Sequence, residues 1–132
     1  MYCRRCGEKA EIHLRRHRAA FCSKCFLEYY DRQVNRNIRK EKMFGFEDRL
    51  MMVVSGGKDS MALWDWLLKK GYNVTTMHID LGIGEYSKDS RELVEQFSQD
   101  WKAELIVVDI KQEYGFTIPS LARKTQRSFC SV

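Results

Sequence analysis

From Arg49 onward the apolar residues fall into short blocks separated by stretches of helical spacing, and that alternation predicts the fold class. Leu50–Val54 is an unbroken apolar run of strand length, expected to be buried on both faces. A Ser-Gly-Gly turn follows. Met61, Leu63, Leu67 and Leu68 then recur at helical intervals through Ser60–Lys70, and Gly71 supplies a stop. Asn73–Ile79 reads as a second strand, and a glycine-bearing loop leads to a helix capped by Ser87 or Ser90 and reaching Lys102. Leu105–Ile110 reads as a third strand. Thr117-Ile-Pro-Ser offers a cap and an early proline for a last helix over 118–127. Strands and helices alternating over short connections predict an α/β architecture, with parallel strands joined by right-handed crossovers.

The first third of the chain has a different pattern. Leu27, Tyr30, Val34 and Ile38 share one face of a helix expected from about Leu27 to Met43, with Arg32, Arg36, Arg39, Lys40 and Lys42 over much of the remainder. Two Cys-x-x-Cys pairs precede it, and Phe44–Asp48, containing Gly45, reads as a short connection. Three parts are therefore expected: a cysteine module over 1–26, a basic helix with its connection over 27–48, and the α/β part over 49–132.

Charge divides the chain at the same place. Residues 1–48 hold twelve Lys/Arg against seven Asp/Glu, whereas residues 49–132 hold eleven of each, so the whole formal excess of +5 lies in the first third. A basic appendage on a neutral domain suits a polyanionic partner, because Lys and Arg gain affinity by releasing counterions from phosphates. A solvated basic surface explains the same numbers. No apolar run approaches the roughly 20 residues of a membrane span, and no signal-peptide pattern is present, so a cytoplasmic setting without membrane contact is expected.

In that setting clustered thiols hold metal or do redox work more often than they form disulfides. Cys3-x-x-Cys6 and Cys22-x-x-Cys25 present two pairs of thiolates separated by a basic stretch, the ligand spacing of a four-cysteine zinc ribbon. Gly7 suits the tight backbone after Cys6. With four thiolates available, His13 and His17 are not required as ligands and read as parts of a polar hairpin tip, beside Arg15, Arg16 and Arg18. A segment this short cannot bury enough apolar surface to fold by itself, which makes the metal structural.

Ser55-Gly56-Gly57-Lys58-Asp59-Ser60 lies between a strand and a helix. Two glycines there let backbone approach an anion, the first free N–H groups of the helix point at it, and Lys58, Ser55 and Ser60 add charge and hydroxyl donors. The loop is neither a Walker A loop nor a dinucleotide Gly-x-Gly-x-x-Gly. Asp59, in the first turn, complements the helix dipole.

Ser-Gly-Gly-Lys-Asp-Ser resembles the signature of the PP-loop ATP pyrophosphatases, which cleave ATP between its α and β phosphates. Together with the four-cysteine ribbon, the His78-Ile-Asp-Leu-Gly-Ile-Gly-Glu-Tyr-Ser87 stretch and Cys130, it makes the whole chain similar to the TtuA/TtcA group of tRNA 2-thiouridine synthetases, and most similar to the TtuA type. The resemblance implies a parallel-sheet PP-loop fold behind the zinc ribbon, with ATP and Mg²⁺ as ligands. The loop 55–60 would grip pyrophosphate, with Lys58 and Asp59 catalytic and Asp59 orienting magnesium. His78, Ile79 and Asp80 would lie at the adenine and ribose, with the Ile79 backbone and Val53 near the ring. Cys130 would be one ligand of a catalytic 4Fe–4S cluster whose remaining cysteines are not in these residues.

The implied reaction is adenylation of a uridine C2 oxygen, followed by sulfur transfer, most closely at the T-loop 5-methyluridine. The implied partners are tRNA, a sulfur donor such as a ubiquitin-like thiocarboxylated protein, and a second copy of the chain. Alternatives are thiolation of a wobble uridine or a cytidine, a PP-loop ligase or amidase without sulfur chemistry, and a non-enzymatic zinc-ribbon RNA-binding module. The family's sheet extends beyond its first strand, so the 132 residues are expected to be the N-terminal part of a longer polypeptide and inactive alone.

Overall fold

The computed structural model describes residues 1–126 and Ser128. It divides into two compact units, Met1–Phe44 and Gly45–Val132.

In the first unit, an antiparallel hairpin of β1 (Ile12–Leu14) and β2 (Ala19–Phe21) is turned by a 3-10 segment, Arg15–His17. The tip closes through Arg18 in the left-handed region (φ 46°), and His13 and His17 belong to this hairpin as expected. Helix α1 spans Ser23–Lys40, four residues earlier than the apolar spacing indicates. The reason is local: Cys22 is the N-cap and Cys25 lies in the first turn, so the second thiol pair starts the helix rather than preceding it. Cys3, Ala19, Phe21 and Cys25 form the core of this unit, with Leu14, Phe26 and Tyr29 packed on it.

The second unit is a parallel sheet in the order β3-β4-β5, with β3 at Arg49–Val53, β4 at Asn73–Asp80 and β5 at Glu104–Asp109. Helices α2 (Lys58–Lys70) and α3 (Gly84–Trp101) are the crossovers. Two successive right-handed crossovers in a sheet of this order put both helices on the same face. There Trp64 of α2 and Phe97 of α3 meet with ring centroids 4.7 Å apart, and Trp64, Val54, Thr76 and Val94 are fully buried. Burying a residue such as Val94 contributes roughly 1.5–3 kcal/mol.

The opposite face is open. Met51 and Val53 on β3 are 56% and 58% exposed, and Ile79 and Ile106 continue the same apolar row. The expectation that Leu50–Val54 is buried on both sides is therefore corrected. Among the described residues β3 is an edge strand whose burial alternates, because no helix of this unit covers its second face.

Neither Ser87 nor Ser90 caps α3. Ile83 is the N-cap, and Ser87 Oγ accepts its backbone N–H at 2.8 Å from inside the first turn. A short helix, α4 (Ile110–Tyr114), follows β5 without a break because Asp109 caps it through the Gln112 N–H. Helix α5 (Ile118–Thr125) opens with the expected Thr117 cap, completed as a capping box by Ser120. No helix of the described residues is long and apolar enough to cross a membrane.

Candidate functional site

Parallel strands deliver their carboxyl ends to one edge, and among the described residues the loops carrying candidate chemistry in the second unit leave from that edge. Val54, 1% exposed, continues the ladder by donating its N–H to the Met77 carbonyl at 2.8 Å, and the chain then turns through Ser55–Gly57 into α2. Gly56 has φ +81°, and a Cβ there would stand 3.0–3.1 Å from three atoms of Ser90. Two requirements thus coincide at one position: a left-handed backbone and contact with the α3 backbone. Ser55 Oγ accepts the Gly57 N–H, lies 3.3 Å from Ser60 Oγ, and Ser60 Oγ donates to the Gly57 carbonyl. No side chain caps α2, and its first backbone bond runs from Met61 N to Gly57 O. The N–H groups of Lys58, Asp59 and Ser60 therefore begin a helix with no acceptor of their own, the arrangement that receives an anion. Lys58 and Asp59 pair with each other at 3.1 Å and extend into solvent, their side chains about nine-tenths exposed.

The His78-Ile-Asp segment divides among different tasks. His78 does not present its ring to the edge. It is 3% exposed on the covered face, with Nδ1 2.8 Å from the carbonyl oxygen of Val54. A carbonyl only accepts, so Nδ1 donates, and Nε2 is buried without a partner among the described residues. Its place on β4, behind the strand that leads into the phosphate loop, makes it a support for that loop rather than a ligand contact. Val53 and Ile79 both lie on the open face. Asp80 accepts the Gly82 N–H at 2.9 Å, shaping the turn after β4, and its other oxygen is 3.6 Å from Arg91.

Arg91 is the functional candidate that no motif marks. Asp80 and Asp109 are register partners on adjacent strands, two like charges side by side. Arg91 on α3 reaches both, at 3.6 and 3.2 Å, and also Glu95 at 2.9 Å. Hydrogen bonding to Glu95 foremost, with help from Asp80, raises its pKa against the opposing effect of burial. This triad floors an open cleft of about 350 Å³, with Lys88, Lys111 and Thr117 on its walls. Thr117 also locks the loop: a Cβ on Gly82 would stand 2.6 Å from its Cγ2, and the Ile118 N–H donates to the Leu81 carbonyl. Only the pairing of β4 with β5 brings these residues together, which is why spacing along the chain does not reveal them.

In the first unit the sulfurs of Cys3, Cys6, Cys22 and Cys25 all lie within 4.8 Å of one another, with Cys6 and Cys22 at 3.6 Å. Zinc–sulfur bonds of about 2.3 Å in a tetrahedron require sulfurs nearly 4 Å apart, so the four thiols fit one ion. Burial raises the Cys3 thiol, but backbone N–H groups of Cys6, Cys22 and Arg5 outweigh it and bring it down to about 6. Cys25 is pushed up to about 12, by burial first and then by Cys22, Cys6 and Cys3. Cys130 lies outside the described residues.

The fold and the phosphate loop define a class. Residues 28–129 match the model of the PP-loop domain family, and the chain belongs to that family. Residues 2–27 match the N-terminal LIM domain of 2-thiouridine synthetase TtuA. Over 99% of its length the chain is 44% identical to the tRNA-5-methyluridine(54) 2-sulfurtransferase of Thermus thermophilus, and over 99% it is 38% identical to the Pyrococcus horikoshii protein of the same name. It spans only 41% and 42% of those relatives. Among solved structures, the U34-tRNA thiolase NcsA of Methanococcus maripaludis, described with its [4Fe-4S] cluster, superposes with a TM-score of 0.77 at 25% identity, covering 99% of this chain and 45% of that one.

Proposed function

We propose that the whole protein is an ATP-dependent tRNA 2-thiolase acting on the T-loop 5-methyluridine. The observation that carries this reading is the conjunction, in one chain, of an uncapped Ser-Gly-Gly-Lys-Asp-Ser loop at a parallel sheet's carboxyl edge with a four-thiolate centre in a basic unit. The names of the relatives support the choice of reaction and nucleoside.

In the adenylation step, the uridine C2 oxygen attacks the α-phosphorus of ATP and pyrophosphate leaves. The chain's contribution is positioning and charge. The N–H groups of Lys58, Asp59 and Ser60 receive the departing phosphates, aided by the Ser55 and Ser60 hydroxyls. Lys58 turns from Asp59 towards them, and the freed Asp59 carboxylate orients Mg²⁺. Val53 and Ile79 offer an apolar seat for the adenine, with Asp80 at the ribose. A 4Fe–4S cluster on Cys130 and cysteines outside these residues supplies the sulfur-carrying chemistry when bound. Cys3, Cys6, Cys22 and Cys25 hold zinc as a structural ion.

The basic first unit, with Arg15, Arg16 and Arg18 at its hairpin tip, holds the tRNA backbone, a contact that positions without reading sequence. A thiocarboxylated ubiquitin-like protein as sulfur donor, a homodimer and a cytoplasmic setting complete the reading. The test is nucleoside mass spectrometry of tRNA incubated with the anaerobically reconstituted whole protein, ATP, Mg²⁺ and sulfide. A 2-thio nucleoside at position 54 that requires ATP is the expected result. ATP turnover without sulfur incorporation, in protein carrying its cluster, overturns it.

A further inference from the structure

We infer that the cysteine-centred first unit contains a nucleobase-binding cleft, which takes one unstacked nucleotide from a loop of the RNA while the arginines of the hairpin tip hold its phosphates. The cleft measures about 370 Å³ and is lined by Leu14, His17, Phe26, Tyr29, Tyr30 and Gln33. That volume lies within the roughly 300–1,000 Å³ of small-ligand sites. Phe26, Tyr29, Tyr30 and Gln33 follow one another at helical spacing, so α1 supplies one continuous wall. The 3-10 segment of the hairpin supplies the other.

The floor is held in place by the metal-ligand core. Leu14, Phe26 and Tyr29 pack on Cys3, Phe21 and Cys25. Tyr29 stacks on Phe21 with centroids 5.0 Å apart and planes 24° from parallel, and His17 meets Tyr29 edge-on at 6.5 Å. A flat ring entering here extends a stack that already exists and loses little entropy in ordering its site.

Charge and hydrogen-bonding chemistry select the occupant. Among the described residues no carboxylate lines the cleft, whereas the segment forming one wall reads Arg15-Arg16-His17-Arg18. The whole unit carries twelve Lys/Arg against five Asp/Glu, a formal +7, while the remainder of the chain is −2. Another cleft along α1, formed by Arg5, Leu27, Glu28, Asp31 and Arg32, contains its own acids, and Arg5 is ion-paired to Glu28. An anionic ligand with a planar aromatic part suits the first cleft and not the second. Gln33 offers both a donor and an acceptor to a base edge. Aromatic faces, an amide and flanking arginines are the means by which proteins hold unstacked RNA bases.

The inference rests on the reading that tRNA is the substrate, and the experiment separates the two. The whole zinc-loaded protein is titrated, by fluorescence anisotropy at several salt concentrations, against tRNA, an RNA hairpin with an open loop and a blunt duplex with the same number of phosphates. The wild type is expected to prefer the hairpin to the duplex by roughly tenfold, the low end of what one stacked base contributes. His17→Ala and Gln33→Ala are expected to lose that preference with the salt dependence unchanged. His17→Phe retains a ring and keeps it, and Gln33→Glu weakens hairpin binding further. The triple charge reversal of Arg15, Arg16 and Arg18 to Glu weakens both RNAs and flattens the salt dependence. Zinc content measured on every variant separates a lost contact from a lost fold. Equal binding of hairpin and duplex by the wild type, or an intact preference in both alanine variants, overturns the cleft while leaving the tRNA reading in place. No binding of any RNA, tRNA included, removes the tRNA reading itself, and the cleft with it.

Discussion

The bond from His78 to the Val54 carbonyl predicts that one ring nitrogen, and not the other, supports the phosphate loop. Val54 is the last ordered step of the sheet before Ser55, and its carbonyl is buried, so it needs a donor. Replacing His78 with Leu removes the hydrogen bond and orphans that oxygen. The bond itself contributes about 1 kcal/mol and the orphaned acceptor costs about 1–3 kcal/mol, so a loss of about 2 kcal/mol is expected. For a unit of this size that lowers the melting temperature by roughly 8–16 °C. His78→Gln places its amide nitrogen near the former Nε2, out of reach of Val54, and should resemble His78→Leu. His78→Asn places its amide nitrogen near the former Nδ1 and should recover most of the loss.

The same order should appear in ATP affinity measured by calorimetry on the whole protein. A loop whose root has lost its anchor is competent for only part of the time, and apparent affinity falls by that fraction. About 1.4 kcal/mol of lost preference reduces it tenfold. Thermal unfolding and ATP titration of the three variants decide the matter. A His78→Gln variant that behaves like wild type while His78→Asn does not would refute the reasoning, and so would a His78→Leu variant within about 0.5 kcal/mol of wild type.

Two other parts of the molecule lend themselves to test. Arg91→Met leaves Asp80 and Asp109 facing each other without their shared cation. A destabilisation of about 1–3 kcal/mol is expected, largely recovered in the double variant with Asp109→Asn, and a double-mutant cycle by denaturant unfolding that shows no coupling would reject the triad. For the metal centre, binding must displace protons from thiols such as Cys25, held up at about 12, while Cys3, at about 6, is largely ionised near pH 8 and half protonated near pH 6. Apparent zinc affinity should therefore fall as pH is lowered from about 8 to about 6, by more than roughly tenfold per unit, because more than one proton competes per ion. Competition with a chromogenic chelator measures this, and a slope of one proton or fewer would exclude a four-thiolate site.

Much of this molecule follows from local rules. The Cys-x-x-Cys pairs are short-range geometry, so two of them with a basic hairpin between predict a four-thiolate centre, and the sulfurs do converge. The phosphate loop is equally local: a strand, two glycines, then a helix whose N–H groups begin without partners. Thr117-Ile-Pro-Ser predicts its helix start because a capping box is complete within four residues. Where local signals compete, boundaries shift. The start of α1 moved to Ser23 because thiol geometry outweighs apolar spacing, and Ser87 serves its helix from inside the first turn instead of capping it.

What tertiary structure alone decided concerns neighbours distant in the chain. An apolar run has the same composition whichever of its faces is covered, so only the pairing order showed that, among the described residues, β3 has one neighbour and leaves Met51 and Val53 open. Only the family resemblance places His78 at the nucleotide, and in the structure its ring turns inward, buried against the Val54 carbonyl. Asp80, Arg91 and Asp109 are three ordinary charged residues until parallel register sets the two acids side by side and the helix between them delivers the guanidinium. Composition and periodicity report what each segment can bury or bind, but which groups meet depends on chain crossovers, whose register no local pattern encodes.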